Sequence, residues 1–400
     1  MKSTAFHPLS LSEYEISPEQ GFLPQDPCEN LPDCPTLNQL GHELPKLLSA
    51  RTVRHFIDEH RTLLPSVPPT WRDQDYRAAM RILSFAGHAY VWEVPDEPVG
   101  TLPLQLARPW YDVAQHLGRP PVLSYGSYAL DNWRRLDLAK PIQLDNIVLL
   151  QNFLGGQDEE WFVVVHVEIE REAGPGLAGL LRAMNGAAEN KEDEVLLGLQ
   201  SLALSQIAMR DTLLRMTERC DPYVYYTRVR PYIHGWKNSP SLSNGLVYQG
   251  VAAYTGQPQQ FRGETGAQSS IVPSLDAGLG IVHAPDPLTV YLQEMRDYMP
   301  PSHRSFLQAL EHATDDLNRP ILSGYVRDRK FRSPDLWAAY CACIELLAKF
   351  REIHIGYADS YIHRQHQSHT TNPTAVGTGG TPFMNYLQKH LDETKHAIVD

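Results

Sequence analysis

Apolar residues recur every three to four positions along most of the chain, which is the spacing of one face of an α-helix. The pattern is clearest over residues 191–220, which begin with acidic side chains, as a helix N-terminus favours. The same spacing predicts further helices over residues 35–50, 76–94, 102–118, 333–364 and 383–399, and two helices separated by MPPSH within residues 286–311. We therefore predict an all-α fold.

One stretch leaves the secondary structure open. In WFVVVHVEIEREAG, residues 161–174, the valines favour a strand, but the apolar residues do not alternate with polar ones and equally fit a buried helix. A proline-rich, acidic lead-in comes first, and residues 134–146 form a connector. We predict a small N-terminal helical domain over residues 1–145 and a large all-helical domain over residues 146–400.

Composition and charge exclude several classes of protein. The chain has 400 residues, 42% of them hydrophobic, which suits a globular fold with a substantial core. A formal charge of -12 argues against a nucleic-acid-binding surface. No apolar run reaches the ~18 residues of a membrane span, and the N-terminal residues lack the apolar core of a secretory signal. The five scattered cysteines suit free thiols, so we expect a cytoplasmic protein.

The long helix predicted from residue 333 carries a histidine on its apolar face. Ser333 is placed to cap this helix and Pro334 to begin it. The face that contains His354 also holds Cys343, Leu347, Phe350 and Tyr361. A hydrogen-bonded core histidine is the common explanation for such a position. Arg351, one turn earlier, supports another: the imidazole can bind haem iron while the guanidinium pairs with a propionate.

Three further histidines follow near the end of this helix. His363, His366 and His369 form an H-x-x-H-x-x-H pattern, which can place two imidazoles on one face. No cysteine or nearby acidic residue completes a zinc ligand set. We interpret this group as a solvated helix end.

Six segments, in this order, resemble the indoleamine 2,3-dioxygenase family of haem proteins. They are VRPYIHGW, LVYQG, GETGAQSS, RDYMPPSHRSFL, FREIH and GTGGTPFMNYL. The resemblance extends from about Tyr125 to the C-terminus and is looser before it. It implies haem b held between a small and a large helical domain. It also implies that both atoms of O2 enter the indole C2–C3 bond, so that L-tryptophan becomes N-formylkynurenine. We further expect a monomer whose partner is a small indole amino acid.

The resemblance also implies roles for individual residues. His354 matches the iron ligand on the proximal side of the haem, and Arg351 matches an arginine that contacts a propionate. Arg230 matches the arginine that binds the substrate carboxylate, a task suited to a planar fork of donors. Tyr225 stands where the family typically has phenylalanine and can pack on the indole. Tyr125 matches an aromatic residue of the distal pocket.

Two glycine-rich segments match loops that approach the haem. In GETGAQSS, Gly266 permits close approach of the backbone. The segment Gly377–Thr381 matches a mobile loop over the active site, whose closure would exclude water. Within it, the hydroxyl of Thr378 is placed to hydrogen-bond the bound amino acid.

The sequence departs from the family pattern in the distal pocket. His166 stands where animal members carry serine, and Phe162 lies one helical turn before it. His166 can accept the indole N–H, as the distal histidine of tryptophan 2,3-dioxygenases does, hydrogen-bond oxygen, or remain a core histidine. Glu264 and the bulky Tyr128 replace smaller residues. These changes leave the substrate more open than the cofactor.

Three alternatives remain. A haem protein that binds O2 without turnover would keep His354 but would not need Arg230 or the glycine-rich loop. A family member that performs other chemistry on tryptophan or an indole in secondary metabolism would keep both. A haem-free helical scaffold would need none of them.

Overall fold

The structure is a computed structural model that describes residues 8–64, 67–368 and 384–398. Within these ranges most residues are helical, which confirms the prediction of a mostly helical chain. In the N-terminal part the helices are α1 (Pro35–Ser49), α2 (Val53–Glu59), α3 (Asp73–Val91) and α4 (Leu104–His116). They are followed by α5 (Gln157–Ala188), α6 (Glu192–Leu214), α7 (Pro222–Val224), α8 (Ile271–Leu279), α9 (Pro287–Arg296) and α10 (Pro301–Glu311). The last are α11 (Ile321–Arg327), α12 (Pro334–Ala358), α13 (Arg364–Ser368) and α14 (Met384–His396).

Two kinds of short helix interrupt the longer ones. The π-helical segments are Gly126–Leu130, Tyr225–Val229 and Asp359–His363. The 3-10 segments are Leu11–Tyr14, Arg215–Glu218, Arg230–Tyr232, Pro240–Leu242, Ala252–Tyr254 and Gly266–Gln268.

Strands are few and only two residues long in the described parts of the chain. Strand β1 (Thr101–Leu102) pairs in parallel with β4 (Val247–Tyr248), with Thr101 opposite Val247. Strand β2 (Arg134–Arg135) pairs antiparallel with β3 (Ile147–Val148). The boundary predicted between residues 145 and 146 falls in the segment that joins β2 to β3. The division into two domains itself stays a prediction.

The N-terminal helices pack mainly against one another. Helix α3 contacts α1, α2 and α4. A glycine permits its close approach to α4, because a Cβ on Gly87 would lie 2.1 Å from the Trp110 ring. One continuous apolar core nevertheless runs from this group into the C-terminal helices.

The C-terminal helices are arranged around α5 and α6, which form a helical hairpin. Their backbones touch where a Cβ on Gly198 would lie 2.5 Å from the Gly179 carbonyl oxygen. Helix α12 packs on α6 and on α14, and α8 packs on α5 and α10. The ambiguous residues 161–174 belong to α5 and are largely buried, which explains why their apolar residues do not alternate. Pro334 begins α12 as predicted, but the Ser333 side chain makes no capping hydrogen bond.

None of the helices that the structure describes has an apolar stretch long enough to cross a lipid bilayer.

Candidate active site

A large internal cavity lies among the C-terminal helices. Its volume is about 720 Å³, and residues of α5, α6, α8, α9 and α12 line it, mostly with apolar side chains. A volume of this order, with few polar groups, is typical of sites for organic ligands and cofactors. The predicted residues Tyr125, Phe162, His166, Tyr225 and Gly266 lie on its wall, and so do Arg351 and His354.

His354 presents its imidazole to this cavity. The residue has a large accessible surface although protein surrounds it on all sides, because the accessible part faces the cavity. Burial, with the nearby charges of His166 and Arg351, lowers the pKa of His354 to about 4. No hydrogen bond joins the ring to another residue of the described ranges. A neutral imidazole with a free nitrogen lone pair can bind a metal ion. A histidine that only supports the core would instead have a hydrogen-bond partner.

Arg351 lies one turn from His354 and is held by a buried carboxylate. Its Nη1 and Nη2 atoms donate to Asp276 over 2.9 and 2.6 Å, and Nη1 also donates to the Thr394 hydroxyl over 2.6 Å. Burial opposes the ionisation of Asp276, but Arg351 and His283 outweigh it and lower the pKa of this carboxyl to about 2. A guanidinium has five N–H groups, so two remain without a partner among the described residues.

This arginine is part of a larger set of polar contacts. His283 lies 3.3 Å from Asp276 Oδ2 through its Nε2 and 2.6 Å from Glu393 Oε2 through its Nδ1. Burial acts against the charge of His283, but the two carboxylates raise its pKa. We call Arg351, Asp276, Thr394, His283 and Glu393 the arginine network. It joins α8, α12 and α14 beside the cavity.

Four ring side chains form a second group on the cavity wall. Tyr125, Phe162, His166 and Tyr225 are called the aromatic cluster below. The ring centroid of Phe162 lies 4.7 Å from that of His166 and 4.5 Å from that of Tyr225. The Tyr125 ring lies 6.2 Å from His166, edge to face. Such tilted and edge contacts are the favoured arrangements of aromatic rings, so these side chains fix one another's orientation.

The hydrogen bond of His166 defines its tautomer. Nδ1 lies 2.6 Å from the backbone carbonyl oxygen of Phe162. A carbonyl oxygen only accepts, so Nδ1 carries the proton and donates it. Burial lowers the pKa of His166, which keeps the ring neutral. Nε2, on the other side of the ring, is therefore a hydrogen-bond acceptor.

Arg230 is fully buried close to the aromatic cluster, but it is not among the residues that line the cavity. Its guanidinium carbon lies 5.4 Å from the centre of the Tyr226 ring, in a cation–π contact. Burial lowers the pKa of Arg230, and Tyr225 and Tyr226 act in the opposite direction. The residue thus lies next to Tyr225 rather than on the wall itself.

The three π-helical segments all adjoin predicted site residues. Tyr125 immediately precedes the segment Gly126–Leu130. Arg230 directly follows the segment Tyr225–Val229. The segment Asp359–His363 continues the helix that contains His354. Single π-turns inside helices are rare and occur frequently at functional sites. No pattern of apolar residues signalled them in the sequence.

Of the two predicted glycine-rich loops, the one with Gly266 lies within the described residues. Gly266 begins a 3-10 turn on the cavity wall, and a Cβ built on it would meet nothing within 4 Å. The space beside it is therefore open to a ligand. Thr378 and the segment Gly377–Thr381 lie outside the described residues, as does His369. His366 is described, and its Nδ1 lies 3.2 Å from the Tyr226 hydroxyl.

Two buried carboxyl groups lie near the aromatic cluster. Glu264 lines the cavity, and burial raises its pKa to about 8. Glu170 accepts a hydrogen bond from the Ser269 hydroxyl over 2.8 Å. Burial raises its pKa to about 7, although hydrogen bonds from Ser269 and Tyr125 act against the rise. In the sequence Glu264 stands out only as a departure from the family, and Glu170 does not stand out, although a glutamate in so apolar a run is a signal of a functional group.

Tyr128 is buried and does not line the cavity. It stacks on Phe85, with ring centroids 5.8 Å apart, and lies 6.5 Å from the Phe162 ring. It therefore supports the aromatic cluster from the side of α3.

Comparisons with known proteins show which proteins the chain resembles. A family model described as Indoleamine 2,3-dioxygenase matches residues 10–397. The chain is 33% identical to indoleamine 2,3-dioxygenase 2 of Mus musculus, over 98% of this chain and 96% of the relative. It is 31% identical to indoleamine 2,3-dioxygenase of Saccharomyces cerevisiae, over 98% and 94%. It is also 28% identical to a protein named myoglobin from Haliotis madaka, over 97% and 98%.

Proposed function

The chain belongs to the indoleamine 2,3-dioxygenase family, and we propose that it is a haem-dependent dioxygenase that converts L-tryptophan to N-formylkynurenine. The observation that carries the proposal is His354, a neutral imidazole without a hydrogen-bond partner in the described chain, which faces a cavity of about 720 Å³.

The residues of the cavity fit haem b. The walls are mostly apolar, as a porphyrin requires, and His354 would ligate the iron. The two remaining N–H groups of Arg351 would pair with a propionate, and its bond to Asp276 would hold the guanidinium in place. When bound, the haem supplies the reaction with dioxygen that places both oxygen atoms on the indole C2–C3 bond.

The protein's own task would be to position the substrate. Phe162 and Tyr225 lie in contact on the cavity wall and would pack against the flat indole ring. Arg230, which is buried beside Tyr225 behind the wall, would bind the carboxylate once its guanidinium turns toward the cavity. Thr378 would hydrogen-bond the same amino acid, and the Gly377–Thr381 loop would exclude water. Correct placement of reactants is worth a large share of the barrier in such reactions.

His166 would orient the indole through its N–H group. Since Nδ1 donates to Phe162, the neutral ring has only an acceptor left at Nε2. An acceptor suits the indole N–H and does not suit an oxygen atom that seeks a hydrogen-bond donor. Of the two distal roles considered for His166, this tautomer favours the contact with the indole.

The test is identification of the product. Haem-loaded protein is reduced without oxygen, mixed with L-tryptophan and exposed to ¹⁸O2, and the product is analysed by mass spectrometry. We expect N-formylkynurenine with two ¹⁸O atoms. A different indole product would retain the haem site but replace the proposed reaction, and absence of product would reject catalysis on tryptophan.

A second candidate is reversible O2 binding without turnover. The specific observation in its favour is the full-length similarity to a protein named myoglobin. This function has no use for a buried arginine beside the aromatic cluster. Stable oxygen binding in the presence of L-tryptophan, with no product and no effect of Arg230→Lys, would favour it over the dioxygenase.

A further inference from the structure

A cluster of potential metal ligands lies where α14 meets the segment after α8. One ligand atom from each of His283, His390 and Glu393 lies within 4.8 Å of the other two. His283 follows the end of α8 by four residues, whereas His390 and Glu393 are three residues apart on α14. This spacing places both of the latter on one face of the helix. The cluster thus joins two segments that are more than a hundred residues apart in the chain.

The contacts within the cluster are close. His283 Nδ1 lies 2.6 Å from Glu393 Oε2, and the rings of His283 and His390 are stacked 3.9 Å apart. The other oxygen of Glu393 accepts the Ala284 backbone N–H over 3.2 Å. Asp276, which faces His283 from the other side, is committed to Arg351. Three potential ligand side chains therefore lie close together, and the nearest further carboxylate is engaged elsewhere. Lys389 Nζ lies 3.4 Å from the Glu393 oxygen that accepts the Ala284 N–H.

An independent observation points to a ligand at this place. His390 is only 7% exposed, and its Nε2 is buried with no hydrogen-bond partner in the described part of the chain. Leaving a buried polar atom without a partner costs about 1–3 kcal/mol. The stacked contact with His283 does not satisfy that nitrogen, because it involves the ring faces and not the lone pair. A cation bound between the three side chains would satisfy it.

We propose that His283, His390 and Glu393 form a binding site for a single Zn²⁺ ion, with a water molecule as the fourth ligand. Two imidazole nitrogens and one carboxylate oxygen are a donor set that zinc accepts in tetrahedral sites. Imidazole favours zinc over magnesium or calcium, which prefer oxygen ligands alone. The ion replaces the hydrogen bond between His283 and Glu393, and any proton held there passes to solvent.

Closure of the site requires a small rearrangement. Ligand atoms at 2.0–2.1 Å from a tetrahedral ion lie roughly 3.3 Å from one another. The separation within the cluster is up to 4.8 Å, so the atoms approach by about an ångström or more. Because the two rings are nearly parallel, at 11°, one ring also turns so that both lone pairs converge. His283 lies between helices, where the backbone allows this more readily than within α14.

The ion would act as a clamp for α14. Zinc would tie this helix to the segment after α8, next to the Asp276–Arg351 pair. His283 and His390 also line the cavity assigned to the haem, so the ion would lie at its wall, but the inference does not depend on the proposed dioxygenase reaction.

Zinc binding to the haem-loaded protein tests the site. The protein and its variants are dialysed against buffered ZnCl₂, and retained zinc is measured by mass spectrometry. We expect one tight equivalent in the native protein. His390→Gln and Glu393→Gln should bind zinc at least tenfold more weakly. His396→Gln, an exposed histidine on the same helix, is the matched control and should bind like the native protein. Weak zinc sites on the other histidines should be common to all variants.

A second measurement does not rely on variants that fold poorly. X-ray absorption at the zinc edge of the native protein should show two imidazoles and oxygen ligands, and zinc should raise the melting temperature. Haem content is measured beside zinc in His390→Gln, so that loss of zinc is distinguished from loss of haem. Sulfur ligands, equal zinc affinity in native protein and His390→Gln, or absence of a tight equivalent would overturn the proposal.

Discussion

The arginine network and the aromatic cluster border the same cavity but are built in different ways. In the network, each charged group faces an opposite charge: Arg351 and His283 lie against Asp276, and His283 also lies against Glu393. In the aromatic cluster, the contacts are between ring faces and edges, and burial raises the pKa values of the nearby Glu264 and Glu170 carboxyls. The first arrangement neutralises charge by pairing, whereas the four rings of the second carry no charge themselves and have the buried Arg230 beside them.

This difference explains which side is suited to which task. Paired charges held by several hydrogen bonds are rigid. Removal of one partner leaves the other charge buried without compensation, at a large cost in free energy. Such a structure suits a permanent group such as a cofactor. Neutral rings require little free energy of desolvation when a ligand packs on them, which suits a substrate that enters and leaves. The following experiments break or sharpen this comparison, from the largest expected effect to the smallest.

His354→Ala should abolish haem binding, because it removes the proposed iron ligand on the side of the network. Haem content is measured from the absorption of the purified, haem-supplied protein. Added imidazole should restore part of the binding by filling the space left by the side chain. His312→Ala, at an exposed position beyond α10, is the control and should keep its haem. Full haem content in His354→Ala would reject the ligand assignment.

Asp276→Ala should reduce the free energy of unfolding by about 3–5 kcal/mol, because it leaves Arg351 buried without its carboxylate. Urea unfolding of the haem-loaded protein measures the loss. Glu352→Ala removes the exposed ion pair with Lys349 and should cost less than about 1 kcal/mol.

The same carboxyl should govern stability in acid. The folded-state pKa of Asp276 is about 2, below its ordinary value, so its contribution is present above about pH 4 and is lost as the pH falls through 2. If Asp276→Ala lost as much free energy of unfolding in acid as the native protein, the arginine network as described would be wrong.

Glu264→Gln should alter the pH dependence of the free energy of unfolding, with its effect at high pH rather than in acid. Burial raises the folded-state pKa of Glu264 to about 8, so its contribution is full below about pH 4.5 and is lost as the pH rises through 8. The variant keeps the shape without the ionisation and should be about 2–4 kcal/mol more stable than the native protein near pH 9. Unfolding at pH 5, 7 and 9 measures this. Glu97→Gln, at an exposed position, should leave the pH profile as it is.

Arg230→Lys should lower kcat/KM for L-tryptophan about 10- to 100-fold while haem content is kept, because lysine cannot replace the two-pronged contact with a carboxylate. Tryptamine, which has no carboxylate, should react equally with the native protein and the variant. The control is Arg228→Lys, an exposed arginine two residues away. Equal loss for both compounds would mean that Arg230 supports the fold rather than the carboxylate.

His166→Ala should lower kcat/KM for L-tryptophan about tenfold, the value of one hydrogen bond. It should have little effect on 1-methyl-L-tryptophan, which lacks the indole N–H. His166→Gln, which offers another acceptor, should recover part of the loss. A variant that affects both compounds equally would place His166 in a role other than accepting the indole N–H.

The sequence was sufficient for the local features and for the family, which the comparisons confirm. The long helix with Arg351 and His354 could be predicted because residues of one face recur at helical spacing from Cys343 to Tyr361, over about five turns. The segment around His166 stayed ambiguous because a helix buried on nearly all sides has no polar face to reveal its period.

Contacts between segments that are far apart in the chain could not be predicted from the sequence. Asp276 lies 75 residues before its partner Arg351, and His283 lies 110 residues before Glu393. Neither pair follows a spacing rule, because packing of α8 and α14 against α12 brings them together. The tautomer of His166 and the protonation of Glu264 depend on burial, which a sequence pattern does not measure.

The π-helical turn between Tyr225 and Arg230 holds one residue more than an ordinary helical turn. An α-helix advances each side chain by about 100° around its axis, and the wider turn takes up the additional residue. A related chain with one residue fewer in Tyr225–Val229 would form an ordinary helical turn there and would lack the bulge that lies next to Tyr225 and Arg230. Alignments of related chains should therefore be judged at this turn by length as well as by identity.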